Sequence, residues 1–483
     1  MTQRQYTNVL GAVAVSRSGY QDRPVNVMDG KLSFVAGNED WDILLTSWDY
    51  RTGDTRAVNN PTRGKDRKNS QSDYLSREAV RQFIDWTHEQ YKKYIGDEFG
   101  KTMLGFRGDE PDFAFLPWTP DMIERFKARK GYDPTPYLGT LLGPRPSREA
   151  KLFRADYWDV WSDLFSVNFF QQQAEWCDEN GLSYITHLNK DHDMPSCVRV
   201  EGDLFRDLSK VQVPGVDAIW NQIWPGTIND FPKYASSVSH VYGKRRAFSE
   251  SFAAYNIPPT LPTAKYAADY QMTRGINFFE YMFWQAGSKL KTWMTDPGMK
   301  AFNDYTARMT YMLSIGRPGA RIAVYYPTST LWLGNPSVDK DLVEIAQLLL
   351  THQRDFDWVG DDAFCEALTV KNAGLENLSG QRYETLVIPS SEAVSEKAWK
   401  VISDFANRGG KVLFWGSRPD YLVDKTFTRM EGFPDTPQAV YEPLKRWTEQ
   451  VRSALPEPEM KIMGERPVGS YLTGPTDTYR VKA

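Results

Sequence analysis

The sequence predicts an α/β protein: a (β/α)8 TIM-like barrel, incomplete at its N-terminal side, followed by a flavodoxin-like α/β domain. Three observations predict it. Apolar runs alternate with amphipathic helical stretches between residues 102 and 284, and the runs are continuously apolar, as in parallel strands covered by helices. The alternation repeats over a length that suits a barrel. After residue 318 a shorter series of the same kind begins, and its first strand is not followed by GxGxxG, which argues against a dinucleotide there. The expected boundaries are 1–317 for the barrel, 318–430 for the second domain, and 431–483 for an extension that reads as the start of a β-rich domain.

The elements follow in order. Residues 8–15 and 41–48 are compact apolar runs read as buried strands, with an edge strand at 31–35. Residues 49–73 are polar, and a loop of that length is usually functional. Ser76 caps a helix over 77–95, with Val80, Phe83, Ile84, Tyr91, Tyr94 and Ile95 on one packing face. The strand at 102–106 must stop before Pro111, which has no N–H for the ladder. Thr119 caps a helix opened by Pro120 and ended by Gly131, and a long helix covers 153–180. Strands at 182–188, 216–220, 246–250 and 276–284 then alternate with helices near 202–211, 231–242 and 262–274. If the strand at 102–106 is the fourth of a barrel, these are the fifth to eighth, and only two or three candidates precede it. The barrel is therefore expected to lack an N-terminal strand, as in a piece of a longer chain. The second domain reads as strands at 321–327, 356–359, 385–389 and 411–415, with helices at 338–350 and 395–407.

Composition narrows the function. The 483 residues carry 58 Lys+Arg against 62 Asp+Glu, and no basic patch appears, so nucleic acid is not an expected partner. No apolar run is long enough to span a membrane. The N-terminus lacks a basic start, a continuous apolar core and a cleavage site. A cytoplasmic chain is the expectation, and an exported protein would carry its signal outside this sequence. Cys177, Cys197 and Cys365 are far apart and build neither a metal motif nor a disulfide framework. No nucleotide or redox cofactor is expected. The 16 tryptophans suit a large core or a sugar-binding cleft. Oligomeric state is not legible.

Chemistry gathers at strand tips. Asp109 and Glu110 stand at the end of the strand at 102–106, followed by the aromatic residues Phe113, Phe115 and Trp118. An acid beside apolar rings holds its proton more tightly and suits a general acid. Glu250 ends a short strand between Phe248 and Phe252, with Ser249 and Ser251 placed to orient it. Alone, it would read as the ion partner of Arg245 or Arg246. Two carboxyl groups across one barrel mouth are what glycoside hydrolysis requires, one to protonate the leaving oxygen and one to activate water or attack the sugar. His187, Asp109, Glu201 and Asp203 are candidates for holding sugar hydroxyls or a cation, although Glu201 and Asp203 also suit the start of a helix. Trp48, Trp118, Trp220 and Trp284 are candidate subsite walls.

The run SDYLSREAVRQFIDWTHEQYKKYIGDEFGKTMLGFRGDEPDF, continued by PWTPDMIERFKARKGYDPTPYLGTLL, resembles glycoside hydrolase family 106, the α-L-rhamnosidases. The segments ASSVSHVYGKRRAFSESF and RGINFFEYMFW are similar to the same family's later strands, whereas HLNKDHDMPSCVRVEGD departs from it. The resemblance implies an inverting hydrolase with Glu110 as acid and Glu250 as base. It also implies a calcium ion near the sugar hydroxyls, with no ligands assigned. The expected substrate is a glycan bearing a terminal α-L-rhamnose, so the enzyme would act in carbohydrate metabolism and polysaccharide degradation. Two alternatives stand beside it: a retaining β-galactosidase-like glycosidase with Glu250 as nucleophile, and an inactive glycan-binding protein.

Overall fold

The computed structural model describes residues 8–18, 21–29, 31–48, 72–111, 117–142, 147–257, 259–282, 297–423, 436, 439–443, 445–458, 461–463 and 480–482. Phe113, Phe115, Trp284 and most of the polar stretch at 49–73 lie outside these residues.

The first four strands are β1 (Val9–Ser16), β2 (Asp22–Met28), β3 (Lys31–Ser33) and β4 (Trp41–Ser47). They form an antiparallel sheet in the order β3-β2-β1-β4. The runs at 8–15 and 41–48 are therefore strands, as expected, but not barrel strands. The link from Ser16 to Asp22 is far too short for the crossover that a parallel pair needs, so it closes a hairpin. Ala12, Ala14 and Val25 make a small core of their own with Phe34 and Trp41 beside them. On the other face, a Cβ on Gly139 would come within 2.4 Å of Val13 Cγ1. That glycine lets the segment Thr135–Leu142 lie against the sheet.

Ser76 caps as predicted, accepting from Ala79 N at 3.3 Å. The expected helix is two, Arg77–Trp86 and His88–Ile95. They part at Thr87, whose hydroxyl donates to Phe83 O at 2.6 Å. Val80 and Ile84 are buried, but Phe83, Tyr91, Tyr94 and Ile95 are exposed. The break turns the second helix's apolar residues off the packing face. Thr119 is not a cap: its hydroxyl donates to Asp73 at 2.8 Å, and the helix begins at Met122. Gly131 does end it, in the left-handed conformation. The long helix runs as Arg148–Phe165, a π-helical turn Ser166–Gln171, and Gln172–Glu179.

The site rests on a parallel sheet of β5 (Gly105–Gly108), β6 (Ser183–Thr186), β7 (Val213–Ala218), β8 (Phe248–Ser251) and β9 (Phe278–Tyr281), in that spatial order. Among the described residues this sheet has five strands and does not close, where a (β/α)8 barrel short of an N-terminal strand was expected. β5 is its edge, because the strands before it pair with one another instead.

The second unit contains β10 (Ile322–Tyr325), β11 (Phe356–Val359), β12 (Thr369–Lys371), β13 (Gly374–Glu376), β14 (Arg382–Tyr383), β15 (Thr385–Pro389), β16 (Ala393–Ser395), β17 (Lys411–Trp415), β18 (Tyr421–Val423) and β19 (Ala439–Glu442). Its main sheet is parallel throughout, ordered β11-β10-β15-β17-β19. The unit does not end at 430. β19 pairs along β17, and Val451 and Leu455 lie in the main core. Residues 461–463 and 480–482 pair with each other.

Alternation along these strands fixes how the units join. Ile322, Val324, Val387, Leu413 and Trp415 face the same cluster as Trp161, Phe205 and Tyr234, so one core runs through both units. Tyr325, Leu386, Ile388 and Phe414 pack the other way, against Trp399, Ile402 and Phe405 of the helix Glu396–Asn407. Arg206, only 5% exposed, spans the junction. It contacts Asp362 of the second unit at 2.6 Å and Asp159 of the first at 3.0 Å. Among the described residues no helix is long and apolar enough to cross a membrane.

Removing one partner of a buried ion cluster strands the others. Arg206→Ala should lower unfolding free energy by about 3–5 kcal/mol, read from urea denaturation. A loss below about 1 kcal/mol would mean that the clamp does not hold the units together.

Candidate active site

Register brings the acids into a row. Asp217 of β7 is the partner of Glu250 on β8, and Glu250 is the partner of Glu280 on β9. One row deeper, Gly215, Phe248 and Phe278 are paired in the same way. A Cβ on Gly215 would come within 2.5 Å of the Phe248 ring, so glycine is what lets that ring lie against β7. These positions stand at the C-terminal tips of the strands, where parallel α/β folds carry their chemistry.

Arg107 on β5 reaches across the row. Its guanidinium forms an ion pair with Glu250, with Glu280 at 3.1 Å, and with Asp109 at 3.4 Å. It also lies 3.0 Å from His187 Nε2. His187 is 1% exposed and sits 3.2 Å from Glu250 and 3.6 Å from Asp109. The imidazole is also common to a second group. Single ligand atoms of Glu110, His187 and Asp217 lie within 4.8 Å of one another. Asp217, at 6% exposure, is pushed up to about 9 by burial first and by the Asp191 and Glu110 carboxyls next. Asp191, whose Oδ2 accepts from Asp217 N at 2.7 Å, is pushed up to about 6, chiefly by burial. The site thus contains an ionic half around Arg107 and Glu250, and a proton-retaining half around Asp217.

The loops around it are strained. Lys190, Trp220, Asn221, Phe252 and Ala254 all have φ between 50° and 76°, and all follow the tips of β6, β7 or β8. Such clustering of unfavourable backbone marks functional loops.

The predicted residues divide. Glu110, Glu250, Asp109 and His187 come together. Glu201 and Asp203 do not join them. Glu201 accepts from Asn189 N at 2.8 Å, and Asp203 caps the helix Leu204–Lys210 through Phe205 N and Arg206 N. Asp203 is pushed up to about 7 by burial, partly opposed by Arg206. Trp48 belongs to the antiparallel sheet, bonded to Asn8 O at 3.3 Å. Trp118 packs on the main core. Trp220, 50% exposed beneath the Lys190 ammonium, is the predicted tryptophan that stands at a strand tip. Glu250 pairs with Arg107 and not with Arg245 or Arg246, which bond the carbonyls of Ser314 and Asn277. Ser249 and Ser251 do not orient it. Strand alternation turns them away, toward each other and Gln271.

Sequence reasoning missed Arg107, Asp217 and Glu280. Each is a lone charge inside an otherwise apolar strand, and that was the available signal. Among the described residues, neither acid–histidine cluster alone has the donors calcium takes. Each cluster offers two carboxylates and one imidazole, whereas calcium takes six to eight oxygens, and a guanidinium already stands against Asp109 and Glu250.

The family described as alpha-L-rhamnosidase, glycoside hydrolase family 106, matches residues 25–421. The chain belongs to this family. It is 25% identical over 370 residues to a Formosa agariphila protein named "Putative beta-glucuronidase", covering 72% of this chain and 29% of that one. Among solved structures it is similar to the rhamnosidase from Novosphingobium sp. PP1Y, with 22% identity and a TM-score of 0.58 over 74% of this chain and 35% of that one. It is also similar to the family 42 β-galactosidase Gan42B of G. stearothermophilus, with 14% identity and a TM-score of 0.54 over 81% and 61%. The family 106 chain thus spans about a third of the relatives it matches first. At these identities the solved structures speak for the fold alone, which is of TIM-barrel type.

A carboxyl group that holds its proton more tightly when folded stabilises most below its unfolded value, about pH 4, and that stability is lost as pH rises toward about 9. The stability difference between wild type and Asp217→Asn should therefore change by up to about 1.4 kcal/mol per pH unit between about pH 5 and 8, wild type losing ground at higher pH. Urea titrations across that range check it, and a pH-independent difference would contradict a proton on Asp217.

Proposed function

We propose that this chain carries the catalytic unit of an inverting α-L-rhamnoside hydrolase, with Glu110 as general acid and Glu250 as general base. The observation that supports it most is the joint approach of both glutamates to His187 at the tips of β5 and β8, in a chain of this family. Arg107 is the counter-ion of Glu250, which suits a carboxylate that must accept a proton from water. Glu110 is half-buried beside the carboxyl that retains its proton, which suits the acid. His187, Asp109 and Arg107 would hold sugar hydroxyls. The second unit, read as a flavodoxin-like doubly wound domain from its strand order, would brace the helices behind the sheet.

The charge of the mouth bears on the sugar. Leaving out Asp217 and the acid Glu110, which hold protons, Asp109, Glu250 and Glu280 still outnumber Arg107 among the described residues. A uronate would bring another anion into that excess, whereas a neutral deoxy sugar would not. A neutral sugar therefore suits the mouth better than the glucuronide named for the Formosa relative.

The test is hydrolysis of aryl glycosides, α-L-rhamnoside first, with β-D-glucuronide and β-D-galactoside beside it. Glu110→Gln and Glu250→Gln should each cut rhamnoside turnover by roughly 10²–10⁴-fold in the folded protein. Proton NMR should show the product's anomeric configuration inverted. Retention would favour the β-galactosidase-like mechanism, turnover of the glucuronide alone would replace the sugar, and binding without turnover would favour the glycan-binding alternative.

A further inference from the structure

We propose that Asp217 is a positioning residue that acts through Glu110: its carboxyl keeps a proton in common with Glu110, so that the pair presents one shared proton to the glycosidic oxygen. The inference rests on the hydrolase reading above and gives a role to a group which that reading does not use.

The geometry carries it. Asp217 is the penultimate residue of β7, paired across the sheet with Glu250, so its side chain rises from the floor of the mouth. It is 6% exposed, and one of its carboxyl oxygens lies within 4.8 Å of an oxygen of the half-buried Glu110. Its Oδ1 is buried with no hydrogen-bond partner among the described residues. Two anionic carboxylates this close are strongly disfavoured when one of them, Asp217, has almost no water, so one proton stays with the pair. The groups facing Asp217 do not remove that need. Arg107 and Glu110 face it from β5 and the turn after it, His187 and Asp191 from the end of β6, Glu250 from β8, and the Tyr255 hydroxyl from the loop after β8. His192 lies 3.8 Å from Asp191, one residue further out. Arg107 favours the charged form, but its ion pairs are with Glu250, Glu280 and Asp109. The neighbouring acids outweigh it.

The role follows from placement. Asp217 is the buried member of the pair, and the half-buried Glu110 is the one more open to a leaving group. Asp217 therefore acts through Glu110 and not on the substrate itself. In the step itself, the bond from the anomeric carbon to the leaving oxygen breaks and the shared proton moves to that oxygen. Water forms the new bond and gives its proton to Glu250. The emptied pair regains a proton from solvent as Glu250 releases one.

The experiment compares wild type, Asp217→Asn and Glu110→Gln. Asparagine keeps the size and can still donate to Glu110, but it cannot share a proton. Asp217→Asn should move the alkaline limb of kcat/KM down by one pH unit or more. It should lower kcat about 10–100-fold on a phenyl glycoside and less than about twofold on a dinitrophenyl glycoside, whose leaving group needs no proton. A structural defect would slow both substrates alike. Infrared difference spectra at pH 7 should lose one protonated-carboxyl band in Asp217→Asn and shift that band in Glu110→Gln, whether or not a substrate is known. An unmoved alkaline limb, equal losses on both substrates, or an unchanged infrared spectrum would overturn the proposal. Full activity in Glu110→Gln would instead sink the hydrolase reading on which it rests.

Discussion

The guanidinium of Arg107 contacts Glu250, Glu280 and Asp109 at once, and the order of the mouth depends on this. Adjacent parallel strands place Glu250 and Glu280 at paired positions, so without a cation these carboxylates would repel across the sheet. A planar, permanently charged fork can satisfy several carboxylates in fixed directions, which a lysine ammonium could not. It also crosses from β5 to β9, the two edges of the sheet, and so draws the ends of an unclosed sheet toward one centre.

That cluster is held because the scaffold behind it cannot yield. β6, β7 and β8 are backed by helices whose apolar faces run into the second unit's sheet without a break in the core. Arg206 adds a second buried ion cluster at this junction, with acids from both units. The mouth and the junction use the same device, an arginine amid aspartates or glutamates. At the mouth it is 28% exposed by side chain and can meet a ligand, and at the junction it is sealed and structural.

The acids of the site do not behave as equals, and burial is the reason. Glu250 has Arg107 for a counter-ion, whereas Asp217 has two further acids near it and little water. A pair of carboxyls with opposed surroundings is the usual basis for separate acid and base roles. Glycine at 215 contributes by letting the Phe248 ring fill the floor below, which keeps water out from beneath the acids.

Much of this was legible from sequence. The apolar runs with charged ends gave the parallel strands and put Glu110 and Glu250 at their tips, because strand polarity and proline's missing N–H are local properties. His187 followed for the same reason. The Ser76 and Gly131 helix ends were legible too, since capping is decided within a few residues. What the sequence could not decide depended on pairing partners. The run at 8–15 looks the same whether its neighbour is a barrel strand or a hairpin partner, and only the tertiary structure put it in an antiparallel sheet. Ser249 beside Glu250 looked like an orienting group until the strand's alternation turned it toward Gln271. Arg107, Asp217 and Glu280 are distant in sequence, and register alone brings them to Glu250. The chain by itself determined which residues could do acid–base chemistry. The fold decided which of them meet and which one keeps its proton, because charge–charge energy and desolvation depend on distances that no single segment contains.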